Sequence, residues 1–239
     1  MEESTLFGLP YLSAVIVAAG GSARMGGEDK QFLPILGIPV LARSLMAFQA
    51  CPVVKAVVVA ARSGCEEKVR ALAGEYGVDK LTAVVCGGET RADSVMDAIA
   101  ALPEETEFVA IHDGARPLIR PEDIARCADD AFSCGGAVLG VPVSDTIKYV
   151  KKNGTVEYTP AREKLVAVQT PQIFDLRVYL SERRAAGDEA SAWTDDSRVF
   201  ENSGRRVTVT PGSRDNIKIT VPEDAAVAEA LLRLREGRL

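Results

Sequence analysis

Histidine is nearly missing from this 239-residue chain, with His112 its one representative. That excludes a multi-histidine metal site, and any serine–histidine–aspartate scheme would have to run through one imidazole. Basic charge is also in deficit: 28 Lys and Arg stand against 34 Asp and Glu, a net charge of −6. A general nucleic-acid binder needs a basic face, so nucleic acid is not an expected partner. Anionic substrates must instead be met by local cations. The five cysteines (Cys51, Cys65, Cys86, Cys127 and Cys134) form no C-x-x-C pair, and most sit among apolar neighbours. They read as reduced, buried thiols. No apolar run approaches the length of a membrane span, and the opening MEESTLFGLPYLS has no apolar core for a signal peptide. The expectation is a soluble, cytoplasmic protein without a membrane partner.

What the chain does have is a stretch from Ala14 to Leu36 suited to phosphate. Val15-Ile16-Val17-Ala18 reads as a buried strand that breaks at Ala19-Gly20-Gly21-Ser22. Small residues there let backbone N–H groups approach a ligand closely, and the cations Arg24 and Lys30 follow. A strand, a tight turn and fixed positive charge are a means of holding a polyphosphate. Neither familiar phosphate loop is present, however. The dinucleotide fingerprint counted from Gly20 meets Ser22 where glycine is required. A Walker loop counted from Gly21 meets Gly27 where lysine is required.

Strand and helix patterns then alternate. Helices are expected over 40–50, 65–76, 91–102 (capped by Thr90), 121–132, 175–184, 194–202 and 222–235. Strands are expected over 53–60, 81–85, 108–111, 137–143, 206–210 and 217–220. Continuous apolar strands imply a mainly parallel, twisted sheet with helices on both faces, a Rossmann-like α/β fold. Ligands of such sheets sit at the carboxyl ends of strands. One interruption stands out: Thr146–Val150 and Thr155–Thr159 flank Asn153-Gly154, a strong hairpin signal. The chain reads as one domain, residues 1–239, with a projecting hairpin arm over 144–170.

Three strand ends and one late segment carry chemistry. The strand over 81–85 runs into Gly87-Gly88-Glu89-Thr90-Arg91, and Arg91 and Ser94 lie one helical turn apart on the same side of a helix start. The strand over 108–111 runs into His112-Asp113-Gly114-Ala115-Arg116. There Asp113 can sit near a phosphate-bound Mg²⁺, and Arg116 is a candidate phosphate clamp. Lys218 alternates with Ile217 and Ile219, so it faces away from them. Thr194 is a good helix cap. Without further information these could equally be capped helix starts, a surface Asp–Arg pair and solvated cations.

The motifs, taken in order, resemble the nucleotidyltransferases that activate sugar or polyol phosphates, and most closely the methylerythritol phosphate cytidylyltransferases. The likeness rests on Ala18-Ala19-Gly20-Gly21-Ser22-Ala23-Arg24-Met25, Lys30-Gln31-Phe32, Gly87-Gly88 through Ser94, His112 through Pro117, Pro142 through Lys148, Gln169-Thr170-Pro171-Gln172, Thr194-Asp195-Asp196 and Asn216 through Thr220. Ser22 departs from the family's usual glycine. The resemblance implies transfer of CMP from CTP to 2-C-methyl-D-erythritol 4-phosphate, with pyrophosphate released. It implies Arg24, Lys30, Arg162 and Lys218 as catalytic residues. Nucleotide contacts would come from Ala18, Ala19, Gly20, Gly21, Ser22, Gly88, Glu89, Arg91 and Ser94. Asp113, Arg116, Thr146 and Thr194 would complete the substrate set. It further implies Mg²⁺ held mainly through substrate phosphates, and a homodimer embraced by the arm. The alternatives are a ribitol 5-phosphate cytidylyltransferase and, more remotely, a CTP-binding subunit without catalysis. A dinucleotide oxidoreductase is the weakest, given the failed fingerprint.

Overall fold

The apolar run after Tyr11 forms β1 (Leu12–Ala18), near the centre of a seven-stranded sheet. This is seen in a computed structural model that describes residues 8–20, 29–187, 189, 193 and 195–237. A small hairpin, β2 (Pro34–Ile35) and β3 (Ile38–Pro39), leads into α1 (Val40–Ala50). Strand β4 (Val54–Ala61), α2 (Glu66–Glu75), β5 (Leu81–Cys86), α3 (Arg91–Ile99), β6 (Phe108–Asp113), α4 (Pro121–Cys134) and β7 (Gly136–Pro142) continue the alternation. The exposed pair β8 (Tyr149–Val150) and β9 (Val156–Tyr158) follows. Then come β10 (Val166–Asp175), α5 (Leu176–Ala186), α6 (Arg198–Asn202), β11 (Thr208–Pro211) and α7 (Pro222–Arg235).

The sheet order is β11-β7-β10-β6-β1-β4-β5. Every neighbour pair is parallel except the two made by β10. The chain builds outward from β1 through β4 to β5, then returns to lay β6 on the other side of β1. Strand order therefore reverses between β1 and β6, which opens a crevice at their carboxyl ends.

Both faces of the sheet are covered, which is why the strands read as continuous apolar runs. Alternate β1 residues separate: Leu12, Ala14, Ile16 and Ala18 pack with Leu41, Leu45 and Phe48 of α1 and Ile124 of α4. Val15 packs on the opposite face with Val95 and Ala98 of α3. A third cluster, with Ile35, Leu118, Ile219 and Leu232, seats α7 and the segment before it.

Several boundaries differ from expectation. Residues 217–220 form no strand; Ile219 donates its N–H to Ala115 O rather than to a ladder neighbour. The strand expected over 206–210 is displaced to β11. The helix expected from Thr194 begins at Arg198, and Thr194 itself lies outside the described residues. Strand β10 went unrecognised because Pro171 interrupts its pattern. Its register on β7 shifts between Val168 and Gln172, so the proline sits where the ladder is already broken. Cys51 and Cys127 are buried as expected, but Cys86, last on the edge strand β5, is exposed.

Candidate active site

The crevice between β1 and β6 is a cleft lined by Val17, Ala19, Gly20, Lys30, Gln31, Gly88, Glu89, Arg91, Ser94, Asp113 and Lys218, among others. A second compartment adjoins it, lined by Arg116, Gln169, Thr170, Gln172 and Asp195. Arg91, Asp113 and Lys218 belong to both and form the dividing wall.

Each wall has a local cause. Thr90 caps α3 in a reciprocal box: its hydroxyl accepts from Asp93 N at 3.0 Å, and the Asp93 carboxylate accepts from Thr90 N at 3.1 Å. This fixes Arg91 and Ser94 at the helix start. Ser94 Oγ donates to Thr90 O at 2.9 Å. Gly87 lets β5 pass close beneath: a Cβ there would stand 2.4 Å from Ala19 Cβ and 2.8 Å from Ser94 Oγ. Gly87→Ala should therefore prise β1 from α3. We expect it to cost about 1–3 kcal/mol in urea unfolding, the scale of overpacking.

The wall between the compartments is a charge cluster around Asp113, which is 7% exposed. Lys218 Nζ lies 2.8 Å from Asp113 Oδ2, Arg91 Nε donates to Oδ1 at 3.1 Å, and Arg116 Nε is 3.7 Å from Oδ2. Burial alone would raise the Asp113 carboxyl, but Arg91, Lys218 and Arg116 outweigh it and hold it well below the usual carboxylate range. Arg91 also donates from Nη1 to Asp196 Oδ2 at 2.7 Å. Burial works against the Arg91 charge, yet Asp196 and Asp113 raise its pKa above the ordinary value. Lys218 reaches the cluster from an irregular segment held at several points. Arg116 Nη1 donates to Asn216 O at 2.8 Å, Asn216 Nδ2 donates to Thr170 O at 3.0 Å, and Lys30 Nζ donates to Ile219 O at 3.2 Å. The lysine after β1 and the lysine before α7 thus meet at one wall.

His112 is the residue before Asp113 and is fully buried. Its Nδ1 lies 3.1 Å from Thr170 Oγ1, and burial drives its pKa down to about 3 from 6.5. The folded imidazole stays neutral down to that pH, whereas the unfolded one protonates near 6.5. Between those values the unfolded state binds the extra proton, so stability falls as pH falls, by up to ~1.4 kcal/mol per unit. Asp113, with its lowered pKa, adds loss in the same direction below about pH 4. Urea unfolding between pH 7 and 5 should show this slope, and His112→Asn should flatten it by about one proton.

Of the residues singled out from sequence, Ala19, Gly20, Lys30, Gly88, Glu89, Arg91, Ser94, Asp113 and Lys218 line the cleft, and Arg116 lines the adjoining compartment. Ala18 does not: it is buried in the core on the other side of β1's alternation. Thr146 and Arg162 are exposed on the arm and line neither compartment; Arg162 Nη1 donates to Ser144 O at 2.8 Å. Gly21, Ser22, Arg24 and Thr194 lie outside the described residues. Sequence reasoning passed over Gln31, Gln172 and Asp196. Gln172 and Asp196 belong to Q-T-P-Q and T-D-D, whose repetition of polar types within apolar surroundings was a usable signal.

Lys30, Arg91 and Lys218, from three separate segments, join a small-residue strand end and a capped helix start in a cationic cleft beside a second, polar compartment that Arg116 lines. The sequence model of one family, described as 2-C-methyl-D-erythritol 4-phosphate cytidylyltransferase, matches residues 12–234. The chain belongs to this family. Among known 2-C-methyl-D-erythritol 4-phosphate cytidylyltransferases, that of Pelotomaculum thermopropionicum is 44% identical over 230 residues, covering 95% of this chain and 97% of the relative. One from Dehalococcoides mccartyi is 43% identical over 222 residues, covering 93% and 96%. The crystal structure of 4-diphosphocytidyl-2C-methyl-D-erythritol synthase from Anaerococcus prevotii superposes with a TM-score of 0.84 at 28% identity, covering 97% of this chain and all of that one. The cytidylyltransferase family is thus met in sequence and in fold across nearly the whole chain, and the ribitol phosphate alternative is not favoured.

Proposed function

We propose that the cleft binds CTP and the adjoining compartment the acceptor, so that the chain transfers CMP to 2-C-methyl-D-erythritol 4-phosphate and releases pyrophosphate. The observation that carries this division is the shared wall of Arg91, Asp113 and Lys218 between two compartments. An acceptor phosphate in one compartment can approach an α-phosphorus in the other across a cationic partition. A phosphomonoester has a second pKa near ~6 and is mostly dianionic at neutral pH, so no general base is needed. The buried, neutral His112 is not asked to serve. The work is to bring two anions together and to offset negative charge developing at phosphorus.

In this reading Lys30, with Arg24, meets the triphosphate and the charge at the α-phosphorus. Lys218 and Arg116 aim the acceptor phosphate. Gly88, Glu89 and Ser94 surround the base and ribose. Among the described residues, the carboxylates lining the cleft are Asp113 and Glu89, and Asp113 already serves three cations. That donor set would suit Mg²⁺ held mainly through phosphate oxygens and water, with Asp113 the residue that would help to hold it. When bound, the ion offsets phosphate charge and eases departure of pyrophosphate. Acceptor-dependent pyrophosphate release from CTP tests the reading; release that ignores the acceptor, or equal turnover of ATP, contradicts it.

The arm supports a homodimer. From Ser144 to Lys164 every residue but Pro160 is exposed. Tyr149 and Tyr158 stack at 5.0 Å with both rings more than half exposed, and Ile147, Val150 and Val156 are exposed beside them. A two-stranded hairpin with such a face is marginal alone and is stabilised by packing on a second copy. Thr146 and Arg162 would then serve the partner's acceptor compartment. Sedimentation should give a dimer, and Tyr149→Asp with Tyr158→Asp should shift it to monomer. Among the described residues no helix is long and apolar enough to cross a membrane. All five cysteines are free, which suits the reducing cytoplasm.

A further inference from the structure

We infer that Asp196 is a positioning residue for the transfer reaction, acting through Arg91 on the way Asp113 is shared among the cations of the wall. The inference rests on the two-compartment reading above. Asp196 itself lines neither compartment. It is 5% exposed, in the turn before α6, and borders a small cavity behind the wall with Tyr179, Arg183 and Trp193. It therefore does not meet either substrate.

Its contacts give it a different task. A guanidinium is a rigid planar fork, so fixing two of its nitrogens fixes its plane. Asp196 Oδ2 takes Nη1 at 2.7 Å, and Asp113 Oδ1 takes Nε at 3.1 Å. With the fork set between two carboxylates, Arg91 occupies one oxygen of Asp113 and leaves Oδ2 to Lys218 and Arg116. Asp196 is in turn held from behind, where Tyr179 Oη donates to its Oδ1 at 3.3 Å.

Without the charge on Asp196, Arg91 has one anionic partner left. The favourable geometry for one guanidinium and one carboxylate is bidentate. Arg91 would then turn onto both oxygens of Asp113 and displace Lys218 and Arg116 from Oδ2. The cations that meet the acceptor phosphate would lose their fixed positions, while Lys30 and the glycine-rich walls of the nucleotide cleft would keep theirs. Misplacement of this size removes about 10²-fold in rate. The defect should fall on kcat and on KM for the acceptor far more than on KM for CTP, since Arg91 and Lys218 move while Lys30, Gly88, Glu89 and Ser94 of the cleft stay in place. A merely structural role would lower thermal stability without that split.

The test uses steady-state kinetics of the full-length enzyme, with each substrate varied in turn, and thermal unfolding of the same samples. Asp196→Asn keeps the shape and loses the charge, and should lower kcat by about 10²-fold with KM for CTP little changed. Asp196→Glu restores the charge and should recover most of that loss. In an Arg91→Lys background, which has no fork to fix, adding Asp196→Asn should cost less than about twofold more. Near wild-type kcat in Asp196→Asn overturns the inference. So do losses that multiply in the double variant, or a glutamate variant as slow as the asparagine one. If Asp196→Asn does not fold, Tyr179→Phe replaces it: a several-fold drop in kcat at constant KM for CTP supports the role, and wild-type kinetics reject it. A wild-type protein that turns over no acceptor overturns the functional reading and the inference with it. Wild-type turnover with an unaffected Asp196→Asn overturns the inference alone.

Discussion

Replacing Lys30 by alanine should lower kcat by about 10²-fold or more, the scale of losing one preorganised charge donor at the reacting centre. The ammonium group lines the cleft and donates to Ile219 O at 3.2 Å, beside Lys218. It is thus held at the wall before substrate arrives. Positioning of this kind matters most where charge develops during reaction, so the loss should appear in kcat more than in KM for CTP. The fold should survive, since Phe32 N and Leu33 N keep their turn bonds to Asp29 O and Lys30 O in the variant's backbone. Lys30→Arg should recover part of the rate by keeping charge without the same reach. Unchanged kcat in Lys30→Ala would remove this residue from the chemistry.

Asp113→Asn should do damage of a different kind, to stability as well as rate. The substitution leaves Arg91, Arg116 and Lys218 converging on a neutral amide in a nearly buried site. Breaking a buried pair by removing one partner costs roughly 3–5 kcal/mol, because the charge left behind is uncompensated. Arg91 keeps Asp196, so the lower end of that range is expected at pH 7. The cost should shrink when CTP or pyrophosphate is added, since phosphate oxygens supply the missing negative charge and binding favours the folded state. Urea unfolding with and without ligand measures both quantities. An Asp113→Asn protein as stable as wild type would mean that the three cations do not depend on this carboxylate.

The contrast between these two residues reflects what the chain makes legible. Asp113 ends one apolar run and Lys30 follows the small-residue loop that leaves another, and in a parallel sheet those ends are where ligands gather, so local pattern sufficed to find them. The helix start at Thr90 was equally readable, because its capping partner Asp93 is three residues away. The partnership of Arg91 with Asp196 was not, since only the completed sheet brings α3 beside the turn before α6. Lys218 was placed on a strand because Ile217, Lys218 and Ile219 alternate. The alternation is real and Ile219 is buried with α7, but the segment finds side chains and loop carbonyls as partners instead of a neighbouring strand. Strand β10 was hidden by Pro171, and the arm's strands proved shorter than their β-branched residues suggested, both lying exposed along their length.

The most direct test of the account is ³¹P NMR of the purified protein with CTP and Mg²⁺, in parallel with 2-C-methyl-D-erythritol 4-phosphate and with ribitol 5-phosphate. The account predicts a new diphosphate diester and free pyrophosphate with the methylerythritol acceptor alone. Product with ribitol 5-phosphate alone, or none with either acceptor while CTP is bound, would contradict it.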